Sequence, residues 1–169
     1  MTSRARPVAL DPADIRILAA LQEDGTLSVA AVAERVNLST NACWRRIKRL
    51  EDDGVIRRRV ALLDAGALGV GVTVFVNVRT SEHSDEWTRT FQAAVDAMPE
   101  VVEFYRMSGE VDYLLKVQVA SIADYDAVYR RLTSAVKLTD VSSAFAMEEM
   151  KHTTALPLPT ARASNRYDD

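Results

Sequence analysis

The chain of 169 residues has a single cysteine, Cys43, and two histidines, His83 and His152, far apart. A lone thiol excludes an intrachain disulfide and a thiolate-rich zinc site, and neither histidine has ligand-like spacing around it, so no metal and no cofactor is expected. No run of about 18 apolar residues occurs, and the opening MTSRARPVAL lacks the apolar core of a signal peptide. The sequence therefore predicts a cytoplasmic protein with no membrane partner. Histidine paired with a nucleophile, a phosphate-binding glycine loop and a metal cluster are all missing, so there are no candidate catalytic residues and an enzyme is disfavoured.

Strong charge of one sign is also missing: the net charge is -3, which argues against a protein that coats nucleic acid indiscriminately. The distribution says more than the sum. Residues 35–59 hold eight Lys/Arg against three acids, a local +5, so the remainder carries -8. Residues 1–64 sum to +2 and 65–169 to -5, which places a domain boundary near 64–70. With 48% apolar residues, two small packed cores are within reach.

Residues 1–9 read as a flexible N-terminal arm, and 10–64 as a first domain of helices. Asp11 caps a first helix with Pro12 at its first position; Leu10, Ile15, Leu18 and Leu21 supply its stripe, and Asp24-Gly25 stops it. Ser28 caps the short helix VAAVAERV, and Asn37-Leu38 form a tight turn. Ser39 caps a third helix that runs to Gly54, STNACWRRIKRLEDDG. Cys43, Ile47 and Leu50 (i, i+4, i+7) form its buried ridge, so Thr40, Asn41, Trp44, Arg45 and Lys48 point outward. Helix, short helix, turn and basic helix make the helix-turn-helix order, in which the last helix enters a DNA major groove. Val55 to Leu63 then reads as a strand, one side of a wing, with Arg57 and Arg59 on one face and Arg58 on the other.

After a linker at 65–70, residues 71–158 alternate strand and helix. Val72–Val78 reads as a strand, Trp87–Met98 as a helix ended by Pro99, Val101–Met107 and Asp112–Ala120 as strands about the turn Ser108-Gly109-Glu110. A helix from Ser121, with Tyr125, Val128, Leu132 and Val136 inward, and a strand from Val141 to about Lys151 complete the order. The fold class is α+β: a winged helix-turn-helix domain followed by a ferredoxin-like βαββαβ domain. A sheet face or edge lined by Phe75, Leu115 or Phe145 would need cover. Residues 159–169 read as a disordered tail.

The candidate DNA-binding residues are Ser28, Ser39, Thr40, Asn41, Trp44, Arg45, Arg46, Lys48, Arg49, Arg57 and Arg58. Arg45 is placed to pair with guanine and Asn41 with adenine, while Ser39 and Thr40 sit where a helix N-terminus favours phosphate. Trp44 is left with two roles, packing on the DNA or half-buried against the first helix. Arg46, Lys48 and Arg49 are read as phosphate anchors or as partners of Glu51 and Asp52. Cys43 is read as a core thiol.

Four segments carry a resemblance: LDPADIRILAALQEDG, VNLSTNACWRRIKRLEDDGVI, MSGEVDYLLKVQV and FAMEEMKHTTALPL. In this order the chain resembles the Lrp/AsnC, or feast/famine, family of transcriptional regulators over about residues 10 to 158. CWRRIKRLEDDGVI, SEHSDEWTRTF and MPEVVEFYRMSGEVDYLLKVQVA look most like the branch that responds to cysteine and controls its breakdown. Two departures stand out: Val111 replaces a common tyrosine, and Lys137 alone replaces a common Pro-Gly. The resemblance implies double-stranded promoter DNA with a pseudo-palindromic site and a homodimer that assembles further, for example to an octamer. It also implies an amino-acid effector bound between neighbouring dimers at Met107, Ser108, Gly109, Glu110, Val111 and Asp112, completed by Met147. Read from residues alone, that turn is equally an ordinary hairpin turn with solvated acids. The competing functions are a ligand-binding interaction module that does not bind DNA and an enzyme of amino-acid metabolism.

Overall fold

The computed structural model describes residues 8–159, which fall into two compact units: the residues up to Ala61 together with those from His152 onward, and Leu62–Lys151. The arm expected at 1–9 and the tail expected at 159–169 lie almost wholly outside the described residues.

The first unit is built on α1 (Pro12–Glu23), α2 (Val29–Val36) and α3 (Thr40–Asp52). The Asp11 carboxylate accepts from Ala13 N–H and Asp14 N–H at 2.8 and 2.9 Å, and the Asp14 carboxylate accepts from Asp11 N–H at 3.1 Å, which closes a capping box. Asn37, at φ 56, turns the chain out of α2, and Leu38 N–H bonds Ala33 C=O at 2.9 Å. Ile17, Leu18, Val32, Ala33, Val36, Cys43, Ile47 and Leu50 are buried together. The stripe of α1 differs from expectation: Ile17 and the charged Asp14 are buried, while Ile15 is only half-buried.

Two further departures shape this unit. Residues 57–63 form no strand; they are exposed and join no ladder among the described residues. The segment around Leu156 returns to α1: the Gln22 amide donates to Leu156 C=O at 3.2 Å and accepts from Leu156 N–H at 2.7 Å, and Leu158 packs on the helical core. Residues 152–158, read with the second domain in the sequence, cluster in space with the first unit.

The second unit runs β1 (Val72–Arg79), α4 (Asp85–Asp96), β2 (Val101–Arg106), β3 (Tyr113–Val119), α5 (Ile122–Ala135), β4 (Asp140–Phe145). Its antiparallel sheet has the order β2-β3-β1-β4, as a βαββαβ chain requires. Alternation sends Val74, Val76, Val78, Tyr113, Leu115, Val117 and Val119 to the helices, where Trp87, Phe91, Val95, Tyr125, Val128 and Leu132 meet them. Leu115 is fully buried on that face, so it does not line the open one; Phe75 does, at 39% exposure. Phe145 leans edge-on against Tyr125, on the helix side. A bulge between Val101 and Glu103 bends edge strand β2. The last strand stops at Phe145, short of the expected Lys151. Trp87 Nε1 donates to Lys137 C=O at 3.1 Å and so anchors the loop that leads into it.

Candidate DNA interface and effector turn

Helix α3 is positioned by its own sequence. Ser39 Oγ accepts from Ala42 N–H at 3.3 Å, and Ser28 Oγ caps α2 through Ala31 N–H at 3.2 Å, so both hydroxyls serve as caps. At the other end Gly54, at φ 72, reverses the chain, and Ile56 N–H bonds Leu50 C=O at 2.9 Å. Thr40, Asn41, Trp44, Arg45 and Lys48 are all exposed. The two roles left open for Trp44 are thereby narrowed: at 56% exposure it faces solvent.

The cations of α3 differ in their commitments. Lys48 bonds Asp52 at 2.7 Å one turn on, which raises its pKa, but such an exposed pair is weak. Arg46 and Arg49 turn away from Glu51 and Asp52. Arg46 Nη1 lies 2.6 Å from Asp11 Oδ2 and 2.8 Å from Asp14 Oδ1, while Arg49 Nη2 lies 2.5 Å from Asp14 Oδ2. These bonds raise the pKa of Arg46. The backbone N–H of Asp14, followed by the Arg46 guanidinium, holds the Asp11 carboxyl below its usual range. Among the described residues Arg45 has no ion pair, and neither do Arg57 and Arg58, both exposed. Arg59 instead reaches Glu51 at 3.5 Å. Sequence reasoning missed Asp14 because a carboxylate on an apolar stripe is the exception; its place four residues after Leu10 and three before Ile17 was the available signal.

The candidate effector turn is closed by Met107 N–H to Asp112 C=O at 2.8 Å, with Gly109 at φ 119. Ser108, Gly109 and Glu110 are exposed, Val111 and Asp112 half-buried. Asp112 is already engaged: its N–H donates to Val78 C=O at 3.0 Å and its Oδ2 accepts from Thr80 N–H at 2.8 Å. Its Oδ1 lies 4.0 Å from His83 Nε2, a neighbour that the spacing did not reveal. Met147 is nearly fully exposed, two residues beyond β4, where Ala146 N–H bonds Thr73 C=O. The turn adjoins Val78, at the other end of β1. Five residues of strand, roughly 17 Å, separate the two within one chain. Met147 and the turn therefore do not form one site in a single protomer.

No helix among the described residues is long and apolar enough to cross a membrane, and no group of His, Cys, Asp or Glu there could hold a metal ion. Residues 10–57 match a winged helix-turn-helix DNA-binding family, and residues 73–156 the Lrp/AsnC ligand binding domain. A glutamate uptake regulatory protein of Zymomonas mobilis is 57% identical over 150 residues, covering 89% of this chain and 92% of its own. The crystal structure of an AsnC family transcriptional regulator from Agrobacterium tumefaciens superimposes with a TM-score of 0.84 at 59% identity, over 88% of this chain and 97% of that one. A Neisseria meningitidis transcriptional regulator in complex with L-Met does so with 0.83 at 37% identity, over the same shares. Two family domains in the order of the two folded units, with identities of this size over nearly the whole chain, make the protein a member of the Lrp/AsnC family of transcriptional regulators.

Proposed function

We propose that the protein binds pseudo-palindromic promoter DNA through α3 and that a small amino acid bound at the turn 107–112 alters its occupancy. The observation that carries the DNA reading is the outer face of α3. Asn41, Trp44 and Arg45, which has no ion pair among the described residues, stand on the face of a helix whose opposite ridge, Cys43, Ile47 and Leu50, is locked in the core. Arg45 is the base reader, with Asn41 beside it; Ser39, Thr40, Lys48, Arg57, Arg58 and Ser28 face the backbone.

At the turn, Glu110 is the carboxylate left for an effector ammonium, because Asp112 is spent on Thr80. Backbone N–H groups beside Gly109 suit the effector carboxylate. Since Met147 lies at the far end of the sheet, it completes the site from another copy, which ties effector binding to a homodimer that assembles further. Cysteine is the first effector to test, on the likeness of SEHSDEWTRTF and its neighbours to the cysteine-responsive branch. Glutamate and methionine follow, because the relatives' names point to them.

The test is fluorescence anisotropy with the chain's own upstream DNA, with and without each amino acid at fixed salt. Binding that falls steeply with salt and shifts with one amino acid is expected. Salt-independent binding, or none, would favour an interaction module that does not bind DNA.

A further inference from the structure

Helix α3 carries four cations, yet two are committed elsewhere. Asp14 has 1% of its side chain exposed and is held between the guanidinium groups of Arg46 and Arg49; Asp11 takes a second bond from Arg46. Two carboxylates and two guanidiniums cancel in formal charge. Moving either arginine to a phosphate would leave a buried carboxylate short of a partner, which is far costlier than breaking an exposed pair such as Lys48 with Asp52.

We propose that Asp14 is a specificity-determining residue of the DNA interface: by binding Arg46 and Arg49 it withholds them from phosphates and keeps affinity for arbitrary DNA low. Discrimination then rests on Arg45 and Asn41, which touch base edges, instead of on a sequence-blind cationic helix. Asp14 acts only through the two arginines, so it is a positioning residue. The inference rests on the reading of α3 as the DNA-binding helix.

The test uses the full-length protein and a labelled mixed-sequence 40-base-pair duplex, titrated from 50 to 300 mM KCl. Asp14→Asn, which keeps shape but not charge, should steepen the log–log salt slope by about 1 to 2 per bound protomer and tighten binding at 50 mM roughly ten-fold, the signature of newly contacted phosphates. Asp53→Asn removes the same charge from an exposed site that holds no arginine among the described residues, and should shift the slope by less than about 0.3 on that scale. Arg49→Gln, which still offers Asp14 a donor, should also leave the slope of the native protein nearly unchanged; a drop of about 0.9 would mark Arg49 as a phosphate anchor and overturn the proposal.

An unaltered slope in folded Asp14→Asn, or an equal gain in Asp53→Asn, would overturn it as well. If Asp14→Asn does not fold, Arg49→Gln and the capping-competent Asp11→Asn decide: Asp11→Asn should steepen the slope in the same sense, by less. Failure of the native protein to bind any duplex in a salt-dependent way would refute the reading of α3 itself, a separate outcome.

Discussion

Asp112 offers a way to separate the skeleton of the effector turn from its chemistry. Its Oδ2 accepts from the N–H of Thr80, a residue only 8% exposed, so Asp112→Ala leaves a buried donor without its acceptor. Such a loss costs about 1–3 kcal/mol, and a domain of this size loses roughly 4–8 °C in Tm for each kcal/mol. Asp112→Asn keeps an oxygen at that position and should lose less than half as much. Both are read by urea denaturation and thermal unfolding at one fixed protein concentration, because assembly makes Tm concentration-dependent. If Glu110 is the effector's ammonium partner, Asp112→Asn should retain the thermal shift caused by the effector, and Glu110→Gln should lose most of it while unfolding normally. Equal destabilisation by Asn and Ala at position 112 would refute the assignment of the hydrogen bond as its main role. An effector shift that survives Glu110→Gln and vanishes in Asp112→Asn would invert the two residues.

Four other outcomes follow from the structure. Arg45→Ala should weaken specific DNA binding by about 1–3 kcal/mol and relax preference at one base pair; an equal loss on random DNA in the same titration would remove its reading role. Phe91, fully buried and ringed by Trp87, Phe104 and Tyr113, should cost about 3–5 kcal/mol as Phe91→Ala in chemical denaturation. Gly54→Ala meets no atom within 4 Å, so its cost is purely that of φ 72, about 1–2 kcal/mol by the same measurement. The folded pKa of Asp11 is depressed, so its contribution is present above the ordinary value of 3.8 and is lost as pH falls through the lower folded one. Unfolding followed from pH 5 downward should therefore show the native protein losing its advantage over Asp11→Asn; a gap that widened on acidification would contradict the sign.

The order of elements was legible in the sequence because each rests on short-range chemistry. Asp11, Ser28, Ser39 and Ser121 cap their helices within three residues of themselves, Asn37 and Gly54 supply left-handed turns, and alternation in VTVFVNV and YLLKVQV sorts each strand's two faces. Periodicity also separated the Cys43, Ile47 and Leu50 ridge from the outward face of α3. Three things were decided only in three dimensions. Residues 57–63 have the composition of a strand but form none, because a strand exists only where a ladder receives it. Asp14 is buried because two arginines 32 and 35 residues away arrive to satisfy it. The turn at 107–112 and Met147 share a predicted site but stand at opposite ends of β1, since antiparallel pairing fixes which strand ends meet. Local propensity is written residue by residue; the partners of a charge and the neighbours of a strand end are set by contacts between segments distant in the chain, which only the fold supplies.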